Sequence, residues 1–229
     1  CRVGDLGTHG KHELGVMWTD ALKYADKIVF PSGWARDYYC DVLCTDDWYG
    51  THHRDASIII PNGVDKRFIE AFRTRESMSD PVEVITHHWS DNPMKGFDVY
   101  RQLDQRDDIR FTYVGRVSQF TTFKRHMPPC DIDGLIKLFT HADVYITASK
   151  FEAGANHVLE AMAVGLPVMY SSDGGSIVEY CHGRGIEYDG SSAGAVDAIN
   201  TYRENIIPFP RYTRTTEDAV REFIGVITR

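Results

Sequence analysis

The chain has 229 residues, 42% hydrophobic and 25% charged, the balance of an ordinary globular protein long enough to bury a real core. Its net charge of −8 argues against a nucleic-acid partner, because counterion release needs clustered Lys and Arg, and no apolar run approaches the roughly 20 residues that span a bilayer. The five cysteines are odd in number, scattered and without a CxxC pair, which speaks against a disulfide scaffold or zinc site and for a reduced, cytoplasmic setting.

The chain opens at Cys1, and CRVGDLGTHG reads as the end of a strand entering a loop, as expected of a fragment whose beginning is missing. HELGVMWTDALKYA has helical periodicity, with Leu14, Met17, Trp18, Ala21, Leu22 and Ala25 on one stripe. KIVFPS is a short buried strand stopped by Pro31. SGWARDYYCDVL predicts a helix with Ser32 as N-cap. ASIIIPNGVD is a second strand closed by the turn Pro61-Asn62-Gly63. Residues 66–80 are charged, lack a sustained apolar face and read as a linker.

A strict alternation follows. VEVITHH, IRFTYVG, DVYITAS, PVMYSS and GIEYD are strands. KGFDVYRQLDQ, DIDGLIKLFTHA, NHVLEAMAVG, GSIVEYC and SAGAVDAINTYREN are helices. Strands and helices of this length in turn predict an α/β protein with a Rossmann-like, doubly wound parallel sheet covered on both faces. TEDAVREFIGVITR closes the chain as an amphipathic helix.

Ligands of such sheets bind at the carboxyl ends of the strands, where helix N-termini offer free N–H groups. Three loops there carry suitable chemistry. THHWSDNPMKG combines hydroxyl (Ser90), amide and imidazole groups with Lys95, a set that suits an anion. GRVS carries Arg116. FEAGANHVLEAMAVG holds two acids eight residues apart, a spacing that rotates the second by about 80° and shifts it about 12 Å if both were helical. The pair works together only if Glu152 sits in a loop folded over the start of the helix that carries Glu160. Gly154, Ala155 and Asn156 are small enough for close approach. Asn156 is a good N-cap, with Gly165 closing the helix. The amides near Asn156 and His157 would face a phosphate, and Glu160 would reach a pair of vicinal hydroxyls.

Residues 147–175 resemble the Glu-x7-Glu region of retaining GT-B glycosyltransferases of family 4. The matching pieces are Glu152, Leu159-Glu160-Ala161-Met162-Ala163 and Gly165-Leu166-Pro167-Val168, followed by SSDGGSIVEY with its trailing Glu179. ADKIVFPSGW and IIIPNGVDKRF resemble the end of that family's first domain and its hinge. The resemblance implies a GT-B architecture in which residues 1–62 are the last part of an acceptor-side Rossmann-like domain. Residues 63–80 would be the hinge, 81–206 a complete nucleotide-sugar-binding domain, and 207–229 a helix crossing back.

By position, Glu160 would take the ribose hydroxyls and Glu152 the donor sugar near the reacting carbon, as the catalytic acid. Lys95 would neutralise the diphosphate, with Ser90, Arg116, Gly154, Ala155, Asn156 and His157 completing the donor site. The resemblance further implies a UDP- or GDP-sugar donor as substrate, no cofactor and no metal. It implies a glycan or lipid-linked acceptor, and leaves room for peripheral membrane contact on the cytoplasmic face through preceding residues. The family's Gly-Arg before the lysine is replaced by His87-His88-Trp89-Ser90, so one phosphate-binding cation is lacking unless Arg116 or a histidine substitutes. The family's first-domain histidine has no clear counterpart; Gly4 occupies the comparable position, with His9 and His12 nearby.

Three other classes fit less of the chain. A nicotinamide-dependent dehydrogenase lacks its GxGxxG after any strand. A metal-dependent transferase would rest on Asp131 and Asp133 alone. A nucleotide-sugar-binding module without turnover shares every donor-side feature.

Overall fold

The structure, a computed structural model, describes residues 1–9, 13, 14, 18, 22, 24–44 and 47–228. Most of the helix predicted over residues 12–25, and His12 with it, lies outside the described residues.

Two parallel sheets organise the chain. The smaller pairs β1 (Ile28–Phe30) with β2 (Ser57–Ile59), in register Ile28 to Ser57. The larger holds β3 (Val82–His88), β4 (Ile109–Gly115), β5 (His126–Met127), β6 (Val144–Thr147), β7 (Val168–Ser171) and β8 (Gly185–Tyr188). Its order is β5-β4-β3-β6-β7-β8 and every pairing is parallel. The chain thus starts in the middle at β3, winds outward through β4 and β5, then returns to the other side of β3 with β6. That reversal opens a crevice at the carboxyl ends of β3 and β6, the switch point of a doubly wound sheet.

The helices among the described residues are α1 (Gly33–Tyr38), α2 (Asp47–Asp55), α3 (Lys66–Glu70), α4 (Phe97–Asp104), α5 (Ile132–His141), α6 (Asn156–Val164), α7 (Ser176–Cys181), α8 (Ser192–Glu204) and α9 (Thr216–Ile227). Side chains alternate across a strand, so each face of the large sheet has its own core. Ile85, Val114, Tyr145, Val168 and Tyr170 pack with α5, α6 and α7. Val84, Phe111, Tyr113, Val144, Ile146 and Met169 pack with α4 and α8. The closing helix α9 lays Ala219, Phe223 and Val226 against Val29, Ile58 and Ile60 of the small sheet.

Several local expectations need correction. Ser32 does cap α1, accepting from the Ala35 amide at 2.9 Å, but the helix gives way after Tyr38 to a wider π turn over Tyr39–Leu43. The segment read as a bare linker contains α3. Asp65 caps it through the Arg67 amide at 2.9 Å, and Phe68 is fully buried with its ring 6.2 Å from that of Phe139. The few apolar residues of this charged stretch, Phe68 and Ile69 among them, give no sustained periodicity to read, yet tertiary burial suffices to hold one turn. Helix α2 and the two-residue edge strand β5 are also additions; both residues of β5 are exposed, so no apolar pattern marks it.

Gly96 joins the two sides of the crevice. It sits at φ +81°, and a Cβ there would lie 2.4 Å from both Cβ and O of Ala148, in the loop after β6. Only glycine combines the left-handed backbone with this approach. Gly96→Ala should therefore destabilise the fold by about 1–3 kcal/mol, the usual cost of overpacking with strain. Chemical denaturation would show this as a lower midpoint at unchanged slope; an unaltered midpoint would mean the two loops are not held in contact.

Candidate functional site

The crevice at the switch point is built by the loops after β3 and β6. After His88 the chain passes Trp89 and Ser90 to Asn92, whose side chain accepts from the Met94 amide at 2.9 Å and starts a single turn over Pro93–Lys95. Ser90 Oγ accepts from the Asn92 amide at 3.2 Å. Lys95 is 8% exposed, and its ammonium lies 2.5 Å from Oε1 of Glu152. The Lys150 amide donates to the Met94 carbonyl at 2.9 Å, so backbone as well as side chain joins the two loops.

Glu152 is in a loop, and its position is enforced. Phe151 before it has φ +51°, a left-handed conformation that costs an L side chain energy and is tolerated where surrounding contacts demand it. Those contacts come from the loop after β7. Phe151 and Glu152 amides donate to the carbonyls of Asp173 and Gly174, and the Ser176 amide donates to the Glu152 carbonyl, all within 3.1 Å. Gly175 at φ +70° permits this, because a Cβ there would fall 2.8 Å from the Glu152 oxygen.

Helix α6 begins one residue differently than its sequence suggests. Ala155, buried, holds the N-cap position without a side-chain hydrogen bond, and Asn156 is the first helical residue. Asn156 instead accepts from Asn62 Nδ2 at 2.7 Å, which commits its side chain to the hinge turn. The first-turn amides, His157 included, are left without a side-chain cap, the state in which a helix N-terminus best receives an anion. Gly165 ends the helix at φ +88°, as its position predicted. Glu160, one turn in, places Oε2 2.9 Å from Nε2 of His87, the penultimate residue of β3. His157 Nε2 lies 3.1 Å from Thr147 Oγ1 at the end of β6.

Residues 4–9 lie across this crevice. A cavity of about 200 Å³ is walled by Gly4, Asp5, Thr8 and His9 on one side and by Ser90, Lys95, Glu152 and Gly154 on the other. Thr8 donates to the Phe151 carbonyl at 2.8 Å, and His9 Nε2 lies 2.7 Å from the Lys150 carbonyl. Ser32 donates to the Ala153 carbonyl at 2.8 Å. Glu179 turns its carboxylate to the Gly33 and Trp34 amides, at 3.2 and 3.0 Å, and so caps α1 from across the crevice.

Of the predicted donor residues, Ser90, Lys95, Glu152 and Gly154 thus share one cavity wall. Ala155, Asn156, His157 and Glu160 continue along α6. Arg116 is exposed on the loop after β4 and is not among the residues that line this cavity; its amide donates to His88 O at 3.1 Å. Asp131 is the N-cap of α5, accepting from the Gly134 amide at 2.8 Å, and Asp133 meets Arg67 at 3.2 Å, so the Asp-x-Asp pair has structural work. His87, Asn62 and His9 also contact these loops and α6; the sequence placed them in the segment replacing Gly-Arg, in the hinge turn and near Gly4, without marking these contacts.

Three histidines are held neutral. Burial, reinforced by the neighbouring His157 and Lys95, holds His88 well below its ordinary range. Loss of solvent, then Lys95 and His87, does the same to His157, and loss of solvent followed by His52 lowers His53. The unfolded chain takes up these protons as pH falls through about 6.5, while the folded chain refuses them, so stability must drop with falling pH there. The slope is at most about 1.4 kcal/mol per pH unit for each group. Carboxylates lowered by partners, such as Asp37 and Asp65, lose their contribution only below the ordinary carboxylate range and leave this window alone. The thermal midpoint should therefore fall between pH 7.5 and 5.5, and His157→Gln should flatten that fall. A midpoint that rises on acidification would contradict neutral histidines.

Comparison with known proteins identifies this arrangement at the level of fold. Residues 97–205 match the family model of Glycosyl transferases group 1. No curated protein sequence matches the chain. Among solved structures, a sucrose-phosphate synthase from Thermosynechococcus elongatus superposes with TM-score 0.68 at 16% identity over 98% of this chain and 62% of the synthase. Anabaena Alr3699/HepE in complex with UDP and glucose gives TM-score 0.71 at 15% identity, over 99% of this chain and 70% of that protein. A glycosyltransferase from Rickettsia africae gives 0.66 at 17% identity, over 94% and 66%. Residues 97–205 are thus similar to Glycosyl transferases group 1, and the chain has a parallel-sheet α/β fold that matches GT-B glycosyltransferase structures.

Proposed function

We propose that this chain forms the donor-binding part and cleft of a retaining, family 4 glycosyltransferase. It moves a sugar from a nucleoside-diphosphate sugar to the hydroxyl of a glycan or lipid-linked acceptor, without a metal. The carrying observation is the crevice at the β3–β6 switch point, where the Lys95–Glu152 pair and the uncapped start of α6 lie together under residues 4–9. The match to a glycosyltransferase family model and the likeness to a protein solved with UDP and glucose support the same reading.

On this reading the diphosphate lies between Lys95 and the α6 N-terminus, the ribose diol meets Glu160, and the sugar meets Glu152. Negative charge grows on the departing phosphate as the glycosidic bond breaks, and a preorganised ammonium and helix amides stabilise it. The acceptor hydroxyl attacks from the face the phosphate leaves, giving its proton to that phosphate. No carboxylate nucleophile is needed, in contrast to a retaining glycosidase. Without ligand, Glu152 neutralises Lys95; with the diphosphate present, the ammonium is shared and Glu152 is free to accept from sugar hydroxyls.

Four measurements test this. Lys95→Ala removes a charge-assisted contact worth about 1.5–3 kcal/mol, so calorimetry should show nucleoside diphosphate binding weakened about tenfold or more. An unchanged dissociation constant rejects the assignment. In a transfer assay, Glu160→Gln should raise the donor constant with a smaller loss of turnover. Glu152→Gln should lower turnover about tenfold or more with donor binding kept, because its contact strengthens in the transition state. Chelation by EDTA should leave transfer unaffected, and NMR of the product should show the donor's anomeric configuration; an inverted product sinks the mechanism.

A further inference from the structure

Glu160 does not stand alone on α6. Its Oε2 lies 2.9 Å from Nε2 of His87, whose side chain is completely buried at the end of β3, whereas the Glu160 side chain is 20% exposed. The imidazole is walled by Phe139, Trp89 and Tyr145, with ring centroids at 5.3, 5.5 and 5.7 Å, so it cannot swing away. Its other nitrogen, Nδ1, lies 3.2 Å from the Tyr145 hydroxyl. The His87 amide donates to that same hydroxyl at 3.3 Å.

These contacts fix the proton positions. An ionised carboxylate only accepts, so Nε2 must carry the hydrogen that points at Glu160. The Tyr145 phenol is fully buried, and burial pushes its pKa well up, so it keeps its proton as a donor. Its acceptors include His87 Nδ1 and, at 3.4 Å, the His87 carbonyl, with Thr86 also beside it. With Tyr145 donating to Nδ1, the ring donates through Nε2 to Glu160. The alternative tautomer would face a lone pair with a carboxylate. One oxygen of Glu160 is thereby held from behind by a rigid strand residue, and the side chain stays partly exposed.

We propose that His87 is a positioning residue for donor recognition. It holds the Glu160 carboxylate, before any ligand arrives, in the orientation that takes the two vicinal hydroxyls of the donor ribose, with Tyr145 setting its tautomer. This rests on the reading of Glu160 as the ribose acceptor. A free glutamate would have to lose its rotamer freedom at each binding event, and prior ordering removes that cost.

The test uses the ribose preference of the 229-residue chain, the ratio of dissociation constants for 2′,3′-dideoxy and ordinary nucleoside diphosphates, read by calorimetry for UDP and for GDP. In the unaltered chain the preference should be about tenfold or more. Glu160→Gln should collapse it. His87→Leu should reduce it severalfold while leaving dideoxy affinity unchanged, and adding it to Glu160→Gln should change nothing more. His87→Gln, whose side-chain amide also donates, should recover part of the preference. Tyr145→Phe should lie between; it keeps the ring, and with His87→Gln it carries the test if His87→Leu does not fold. A Glu160→Gln chain that keeps the preference overturns the ribose reading, and the proposal with it. If Glu160→Gln abolishes the preference but His87→Leu and Tyr145→Phe keep it, or weaken both ligands by the same factor, the positioning role alone is overturned.

Discussion

The ion pair between Lys95 and Glu152 is the contact on which the site depends. It joins the loop after β3 to the loop after β6 across the crevice that the sheet topology opens, with both side chains only about one-tenth exposed (11% and 13%). Two charges that far out of water are tolerable together and costly apart, so each fixes the other. Gly96 makes the approach possible, and the Met94–Lys150 backbone bond keeps it in register. The same pair gives Lys95 an internal counter-charge, a role that a diphosphate can take over.

The two acids set eight residues apart are reconciled through β3. His87 at the strand's end grips Glu160, and Lys95 in the loop beyond it grips Glu152. Glu152 stays in a loop because the Gly174–Ser176 segment accepts and donates along its backbone, and Glu160 stays in a helix because α6 is packed with Val158, Leu159, Ala161 and Met162 in the core. Residues from the first part of the chain then clasp the outcome: Asn62 on Asn156, Ser32 on Ala153, and Tyr180 reaching back to the Pro31 carbonyl at 2.5 Å. The acid that faces the opposite way, Glu179, ties α1 to this assembly rather than facing the cavity.

The large sheet was legible because its strands are buried on both faces and read as apolar runs between helices of matching period. That alternation, with turn residues between, was enough to place Lys95, Glu152 and Glu160 at strand ends and helix starts. Features held by long-range polar contacts were not legible. Asn156 looks like a cap by type, but Asn62, 94 residues away in sequence, takes its side chain. His87 and Glu160 are 73 residues apart, and nothing in either neighbourhood signals the other. Helix α3 and strand β5 escaped for the opposite reason: each is so short that one or two contacts decide it, without any periodicity.

The central claim is that a nucleoside diphosphate occupies the β3–β6 crevice and opens the Lys95–Glu152 pair. A crystal structure of the chain with UDP, or with GDP if that binds more tightly, tests it directly. The account predicts diphosphate oxygens within hydrogen-bond reach of Lys95 Nζ and the first amides of α6, with the ribose diol on Glu160. A nucleotide bound elsewhere, with Lys95 still paired only to Glu152, would contradict it.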